Sequence, residues 1–170
     1  MKKLILFLGL SATILLTGIT ANAQSGAIGL RATPDGGGFT GKAYISRYLA
    51  FEGMLNAGGI LGLSGESFTA VALLEAHIPL PDNSWRLIFG GGLHGGVWDN
   101  GRWYRYRDDV WVNDAQPIIG VDAIGGVEYI FKNIPLGLSA DIKPAINFTG
   151  GGPEFFSHNM FGLSARFVFR

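Results

Sequence analysis

Apolar side chains recur at every second position over much of this sequence, and that period restricts the chain to β-strands. In residues 136–148, one set of alternate positions is almost entirely apolar, and the other includes Ser139, Asp141, Lys143 and Asn147. Successive side chains of a strand point to opposite faces of a sheet, whereas a helix needs an apolar period of about 3.6 residues. No stretch after residue 24 keeps a helical period for long. The sequence therefore predicts an all-β fold whose strands each have one apolar and one polar face.

Eight segments with this alternation are separated by turn-forming residues. The predicted strands are 25–32, 39–46, 49–58, 67–78, 85–97, 117–131, 136–148 and 159–169. Tight turns are expected at 47–48, 81–84 and 132–135, and longer loops at 33–38, 59–67, 98–116 and 149–158. Strands of this length can cross a membrane when tilted. Short turns that alternate with longer loops are typical of a transmembrane β-barrel with both termini on the short-turn side.

Alternation alone does not say which face points outward, and two arrangements are open. A soluble lipocalin-like barrel would turn its apolar faces inward to line a ligand cavity. The polar faces of this chain, however, are rich in Gly, Ala and Ser, which suit the narrow interior of a small barrel. The apolar faces are bulky and uniform, as an exterior in contact with lipid acyl chains can be. The sequence therefore favours polar faces inside and apolar faces outside.

Charged residues on the polar faces favour the same orientation. Five cations and five anions lie there: Arg31, Lys42, Arg86, Lys143 and Arg166, with Glu52, Glu75, Asp122, Glu128 and Asp141. A narrow interior can hold a balanced set, because a buried charge is tolerated when it is paired and hydrogen-bonded. Turning these residues to lipid would cost about 2–4 kcal/mol for each basic one near the bilayer midplane. We therefore expect the ten residues to form a structural charge network inside the barrel.

The N-terminal segment and the composition indicate an exported protein. Residues 1–23 combine Lys2 and Lys3 with an apolar stretch and an Ala-Asn-Ala processing site, which predicts a cleaved signal peptide and a mature domain of residues 24–170. Without these two lysines, eleven of the thirteen basic residues remain against thirteen acidic ones, and the slight acidic excess argues against nucleic acid as a partner. The chain has no Cys, and hence no lipoprotein acylation site or disulfide. Its 27 glycines and charged fraction of 15% are unusual for a soluble protein.

The last predicted strand, "FGLSARFVF", resembles the closing strand of small outer-membrane barrels that the barrel-assembly machinery reads, although one residue follows Phe169. With the strand pattern of residues 24–170, it makes the chain similar to the small barrels of the OmpA-transmembrane and OmpX type. The resemblance implies an eight-stranded antiparallel up-and-down transmembrane β-barrel with a side-chain-filled interior. It also implies a monomer in the outer membrane, with periplasmic termini, among lipid and lipopolysaccharide. No cofactor and no metal are expected, and a barrel this narrow is not expected to be an open porin.

The predicted loop 98–116 is the candidate interaction surface. It contains aromatic and arginine side chains: Trp98, Arg102, Trp103, Tyr104, Arg105, Tyr106, Arg107 and Trp111. Such residues are enriched at binding surfaces, and they also anchor loops at the level of lipid headgroups. Asn100-Gly101 is a hairpin signal, which leaves room for the strands to continue beyond the membrane. The expected role is therefore structural, or interaction with an unidentified ligand through extracellular loops.

Three further motifs contain residue types that can carry chemistry. Residues 90–96 contain a formal G-x-G-x-x-G, but a dinucleotide loop must follow a strand and open a helix. His77 and His94 fall on the interior faces of adjacent predicted strands, where they are expected to join a hydrogen-bond network. Glu154, Ser157 and His158 faintly resemble the groups of lipid A-modifying hydrolases or acyltransferases, but neighbouring residues on a strand point apart. The chain is therefore expected not to be an enzyme, with lipid A modification as the alternative.

Overall fold

The computed structural model describes residues 26–58, 67–82, 84–105, 110–149, 152–155 and 160–169, which form ten β-strands. The strands are β1 (Gly26–Thr33), β2 (Gly36–Tyr44), β3 (Leu49–Gly58), β4 (Phe68–Pro79), β5 (Trp85–Arg105), β6 (Val110–Ile130), β7 (Leu136–Ile142), β8 (Ala145–Thr149), β9 (Gly152–Phe155) and β10 (Phe161–Phe169). None of these ranges holds a helix that is long and apolar enough to span a membrane.

The strands close into an antiparallel barrel. From β1 to β6 each strand pairs with the next one along the chain, and β6 pairs with both β7 and β8. β10 pairs with β7 and with β1, which completes the ring. β7 and β8 are therefore two parts of the seventh barrel strand, β10 is the eighth, and β9 is an extra strand against β8. The predicted eight-stranded up-and-down barrel is confirmed.

Burial alternates along the strands in the way that the sequence pattern predicts. Every second residue of β4 and β10 is buried, and the residues between them are exposed. The exposed set is the apolar one, with Leu163 at 65% and Phe39 at 68% exposure. A soluble lipocalin-like barrel would have these side chains inside. The structure has the opposite arrangement: the polar residues face the interior, together with small residues and a buried apolar cluster of Met54, Val71, Leu73 and Ile124.

The two ends of the barrel differ in their connections. One end, called here the turn side, carries residues 45–48, 80–82, 84 and 131–135. There, the Asp82 carboxylate accepts hydrogen bonds from the backbone N–H groups of Ser84 (2.8 Å) and Trp85 (3.1 Å), which fixes the turn before β5. The other end, the loop side, carries the turn at 34–35 and the upper parts of β5, β6, β8 and β9.

The prediction of a loop at 33–38 was wrong. β1 and β2 are joined by only two residues, 34 and 35, and the triple glycine belongs to β2. A Cβ on Gly36 or Gly38 would overlap the backbone of β3, at the carbonyl groups of Ala57 and Leu55 respectively. These glycines are in the strand because neighbouring backbones approach closely there, which no other residue permits.

The loop predicted at 98–116 is mostly paired backbone. β5 continues to Arg105 and β6 begins at Val110, so the hairpin extends well past the predicted ends at 97 and 117. The pairing shifts between Asp99 and Arg102, which makes Asn100-Gly101 part of a β-bulge and not the hairpin turn. Residues 106–109 lie outside the described residues.

The seventh barrel strand is interrupted at Lys143 and Pro144, where a continuous strand was predicted. Proline has no N–H for the ladder and is disfavoured inside a sheet. The backbone around it is satisfied in another way: Lys143 N–H donates to the Met160 carbonyl (2.6 Å), and Ala123 N–H donates to the Pro144 carbonyl (2.9 Å). β10 starts directly after Met160, so at this level the seventh barrel strand passes from pairing with β10 to pairing with β9.

Candidate functional site

The ten charged residues that the sequence singled out all lie on interior faces of the barrel strands. Nine of them are almost fully buried, with exposures of 6% or less, and Arg86 is half-buried. The nine buried residues form two groups. The central cluster consists of Lys42, Glu52, Glu75, Glu128 and Arg166, and the loop-side pairs are Arg31–Asp141 and Lys143–Asp122.

Lys42 is the hub of the central cluster. Its ammonium nitrogen lies 3.1 Å from Glu52 Oε2, 2.7 Å from Glu75 Oε2 and 3.3 Å from Glu128 Oε1. Lys42 and Glu52 are directly opposite each other in the β2–β3 register. Glu128, on β6, is on a strand that does not neighbour β2, so this contact crosses the interior. The ammonium group thus uses its three donors on three carboxylates, which compensates much of the cost of burying it.

Arg166 supplies the second cation of the central cluster. Its guanidinium donates to Glu52 Oε1, to Ser139 Oγ (2.8 Å) and to Thr40 Oγ1 (3.1 Å), and it lies 3.6 Å from Glu128. Thr40 in turn donates its hydroxyl proton to Glu52. Because β10 and β3 are not neighbours, the Arg166–Glu52 pair also crosses the interior.

The turn-side edge of the central cluster contains aromatic groups. His77 Nε2 lies 3.1 Å from Glu75 Oε2, and the Tyr44 hydroxyl lies 3.3 Å from both oxygens of Glu128. The Tyr44 and His77 rings meet edge to face at 5.6 Å, and the Arg86 guanidinium stands 5.5 Å from the Tyr44 ring centroid. The Tyr44 ring also belongs to a buried apolar cluster, with Ala27, Ala50, Ile130 and Val168.

The loop-side pairs are built on different strands. Arg31 makes two hydrogen bonds of 2.6 Å to Asp141, which is a bidentate pair across the intervening strand β10. Asp122 accepts a hydrogen bond from Lys143 and lies 2.7 Å from His94 Nδ1. Each pair is neutral in total, so the low dielectric of the interior does not hold an unbalanced charge there.

Several polar atoms on the loop side have no protein partner among the described residues. They are both amide atoms of Asn56, His94 Nε2, Asn147 Oδ1 and Arg31 Nε. A buried polar group without a hydrogen bond costs about 1–3 kcal/mol, and ordered water commonly satisfies such groups. The loop-side interior is therefore polar and suited to bound water.

The two interior histidines hold different carboxylates, Glu75 and Asp122, and they do not come together as a pair. The described residues contain no group of three or more His, Cys, Asp or Glu side chains that could hold a metal. The residues 90–96 lie within β5 and not in a loop that opens a helix, so they do not have the context of a dinucleotide site.

Sequence reasoning did not assign the uncharged members of the network. Thr40, Tyr44 and Ser139 contact the charged groups directly. They share the alternation phase of the charged residues, and that phase was the available signal. For the candidate surface at 98–116 the structure gives the backbone path, while its side chains, together with Ser157 and His158, lie outside the description.

Comparison with known proteins adds a likeness of fold. No protein-family model matches the sequence, and no curated protein matches it. The N-terminal β-barrel domain of Pseudomonas aeruginosa OprF, known from a crystal structure, superposes with a TM-score of 0.56 at 13% sequence identity, over 86% of this chain and 97% of that one. At so low an identity the match concerns the backbone architecture. The chain therefore has the fold of a small eight-stranded barrel of the OmpA-like kind.

Proposed function

We infer that this chain is a membrane-spanning barrel of the bacterial outer membrane with a structural and surface-presenting role. The observation that carries the inference is the apolar exterior, which runs around the barrel. Phe39 on β2, Leu93 on β5, Ile119 on β6 and Leu163 on β10 are each more than 60% exposed. Soluble monomers rarely expose continuous apolar surface of this extent, whereas an exterior in hydrocarbon requires it.

The aromatic side chains support a defined position in the bilayer. Tyr48, Trp85, Phe167 and Phe169 are exposed near the turn side, and Phe39, Phe68, Phe148 and Phe161 are exposed nearer the loop side. Aromatic girdles lie at the two interfaces of outer-membrane barrels. Periplasmic turns of such barrels are short, so the turn side would face the periplasm, and the β5–β6 hairpin would project from the cell.

Three properties belong to the same proposal. The ion pairs that cross the interior and the apolar cluster beneath them argue for a plugged barrel without porin activity. The buried charged groups are held by one another, which fits a structural role better than catalysis. The barrel would act as a monomer that the barrel-assembly machinery inserts among lipopolysaccharide, and the projecting hairpin would meet any extracellular partner.

Fractionation of the expressing cells tests the proposal. The mature protein should sediment with outer membranes on a density gradient and migrate as a compact band on gels unless it is heated first. Liposomes that contain the folded protein should exclude small sugars as protein-free liposomes do. Recovery of the folded protein in the aqueous fraction, without detergent, would contradict the membrane assignment.

A further inference from the structure

A groove crosses the outer wall of the barrel just below the interruption of the seventh strand. It has a volume of about 580 Å³, and its exposed walls are made of Ala32, Gly125, Val127, Ala140, Ile142 and Phe161. The floor is the backbone of Gly126, Asp141 and Gly162, whose own faces point into the barrel. The Asp141 carboxylate is turned away from the groove, because it holds Arg31 inside. The groove therefore presents hydrocarbon, and no charged side chain.

Residue size creates the groove. Val127, Ala140, Leu163 and Ala32 are paired successively across β6, β7, β10 and β1, and the row above them contains Gly125, Ile142 and Phe161. Two rows on one face of a sheet are about 7 Å apart. Gly125 and Ala140 are diagonal neighbours in these rows, and their small size deepens the space between the large Val127 and Ile142 side chains.

The shape admits a single chain. The groove spans four adjacent strands, which corresponds to about 14 Å at the usual strand spacing. Carbon atoms pack at about 3.5–4.0 Å, so a slot about 7 Å wide accepts one extended acyl chain between its walls. The convex wall of a second barrel could not enter it. One end of the groove lies at Pro34, in the β1–β2 turn on the loop side.

We propose that this groove holds one acyl chain of lipopolysaccharide, entered from the outer leaflet at the Pro34 end. The proposal rests on the membrane orientation inferred above, in which the loop side faces outward. Hydrocarbon tails and apolar side chains are equally apolar, so the hydrophobic effect does not favour the groove over the rest of the outer wall. The preference of an acyl chain for the groove comes from van der Waals packing. The expected binding is a several-fold enrichment over the bulk lipid at the site, and not a tight complex.

Photo-crosslinking in living cells tests the proposal. The photoreactive residue p-benzoylphenylalanine replaces Ile142 on the groove wall, or Leu55 on another part of the outer wall; both are 49% exposed. After irradiation, antibody to lipopolysaccharide identifies the adduct, and mass spectrometry separates it from phospholipid adducts. We expect at least about a fivefold higher yield of lipopolysaccharide adduct at 142 than at 55 when adducts are normalised to folded protein.

Filling the groove provides the second arm. Ala140→Phe should abolish the excess of lipopolysaccharide adduct at position 142 over position 55. Ala70→Phe, at an exposed alanine paired with Leu55, should leave this excess unchanged. Equal yields at 142 and 55, persistence of the excess in A140F, or a predominant phospholipid or protein–protein adduct would each overturn the proposal. Membrane fraction and heat-modifiable migration are recorded for every variant. Absence of the parent protein from the outer membrane would instead refute the proposed function, so the two failures are distinguishable.

Discussion

Arg31 and Asp141, 110 residues apart in the chain, are joined by two parallel hydrogen bonds of 2.6 Å inside the barrel. Arg31 is on β1 and Asp141 is on β7, and the strand between them contributes Gly162 at that level. A Cβ on Gly162 would overlap the Arg31 guanidinium. The absent side chain therefore makes room for a bidentate pair that links two strands which do not touch.

Removing one partner of this pair should destabilise the barrel far more than removing both. Arg31→Leu or Asp141→Leu leaves a buried charge without its partner, which costs about 3–5 kcal/mol, whereas an apolar replacement of both partners is often neutral or stabilising. Urea-dependent unfolding, followed by gel mobility in lipid vesicles, gives the four free energies of unfolding of a double-mutant cycle. Additive losses in the double variant would show that the two side chains act independently.

Lys42 should matter more than Arg86, although both are interior cations. Lys42→Met leaves Glu52, Glu75 and Glu128 with one fewer buried cation, and we expect a loss of about 3–5 kcal/mol in the free energy of unfolding. Arg86→Met is the matched control, because Arg86 is half-buried and meets the Tyr44 ring. Equal losses in the two variants, measured by the same unfolding assay, would contradict the central position given to Lys42.

The sequence was sufficient for the barrel, which follows from a period of two along each strand, and for its orientation, which follows from the charged and small residues on the polar faces. It was not sufficient to predict which charged side chains pair with each other inside the barrel. Which cation meets which anion depends on the stagger between distant strands, as the Lys42–Glu128 contact across the barrel illustrates. Local pattern also misread Gly36 and Gly38 as loop residues. They are strand residues because the β3 backbone approaches them closely, which is a tertiary requirement.

The extended β5–β6 hairpin marks a second limit of local reasoning. Asn100-Gly101 has the composition of a hairpin turn, yet the backbone passes through it as a bulge and continues to Arg105. Asn-Gly fits either a hairpin turn or a β-bulge, and only the strand pairing beyond these residues decides which of the two forms. Pro144 was likewise read as part of a continuous strand, whereas its missing N–H accompanies a break in the ladder.

Interior and exterior glycines should respond differently to the same substitution. Gly92→Ala would bring a methyl group onto the Ala72 carbonyl of β4, whereas a methyl group on Gly53 would meet nothing within 4 Å. We expect Gly92→Ala to lower the free energy of unfolding by about 1–3 kcal/mol, as overpacking does, and Gly53→Ala to leave it nearly unchanged. The yield of the compact gel band after refolding gives an independent measurement. Normal stability of G92A would mean that β4 and β5 can separate without cost.

Asp82 should make the turn before β5 sensitive to acid. The backbone N–H groups of Trp85 and Ser84 donate to its carboxylate and lower the pKa of that group below its ordinary value. A lowered pKa in the folded state means that the ionised group stabilises the turn above about pH 3.9, and that this contribution is lost as the pH falls further. Asp82→Ala should therefore unfold at lower urea than the parent protein at pH 7, and the difference in urea midpoint should narrow as the pH falls further below about 3.9. A difference that stays constant from pH 7 down through the acid range would assign the effect to something other than the charge.

Charge on the outer wall gives the most direct test of what surrounds the barrel. Leu163, at 65% exposure, is in the middle of the exposed row formed by Ala140 and Ala32. In water, Leu163→Lys would be a surface substitution, with an effect within about 0.5 kcal/mol. In a bilayer, lysine near the midplane costs about 2–4 kcal/mol, and the cost falls to about 0–1 kcal/mol near the interfaces. Leu163 lies one exposed position inside the level of Phe161, so we expect a larger loss for L163K than for Phe169→Lys, at the turn-side end of the same strand. Unfolding in lipid vesicles measures both losses, and equal small losses would place the apolar wall outside the hydrocarbon.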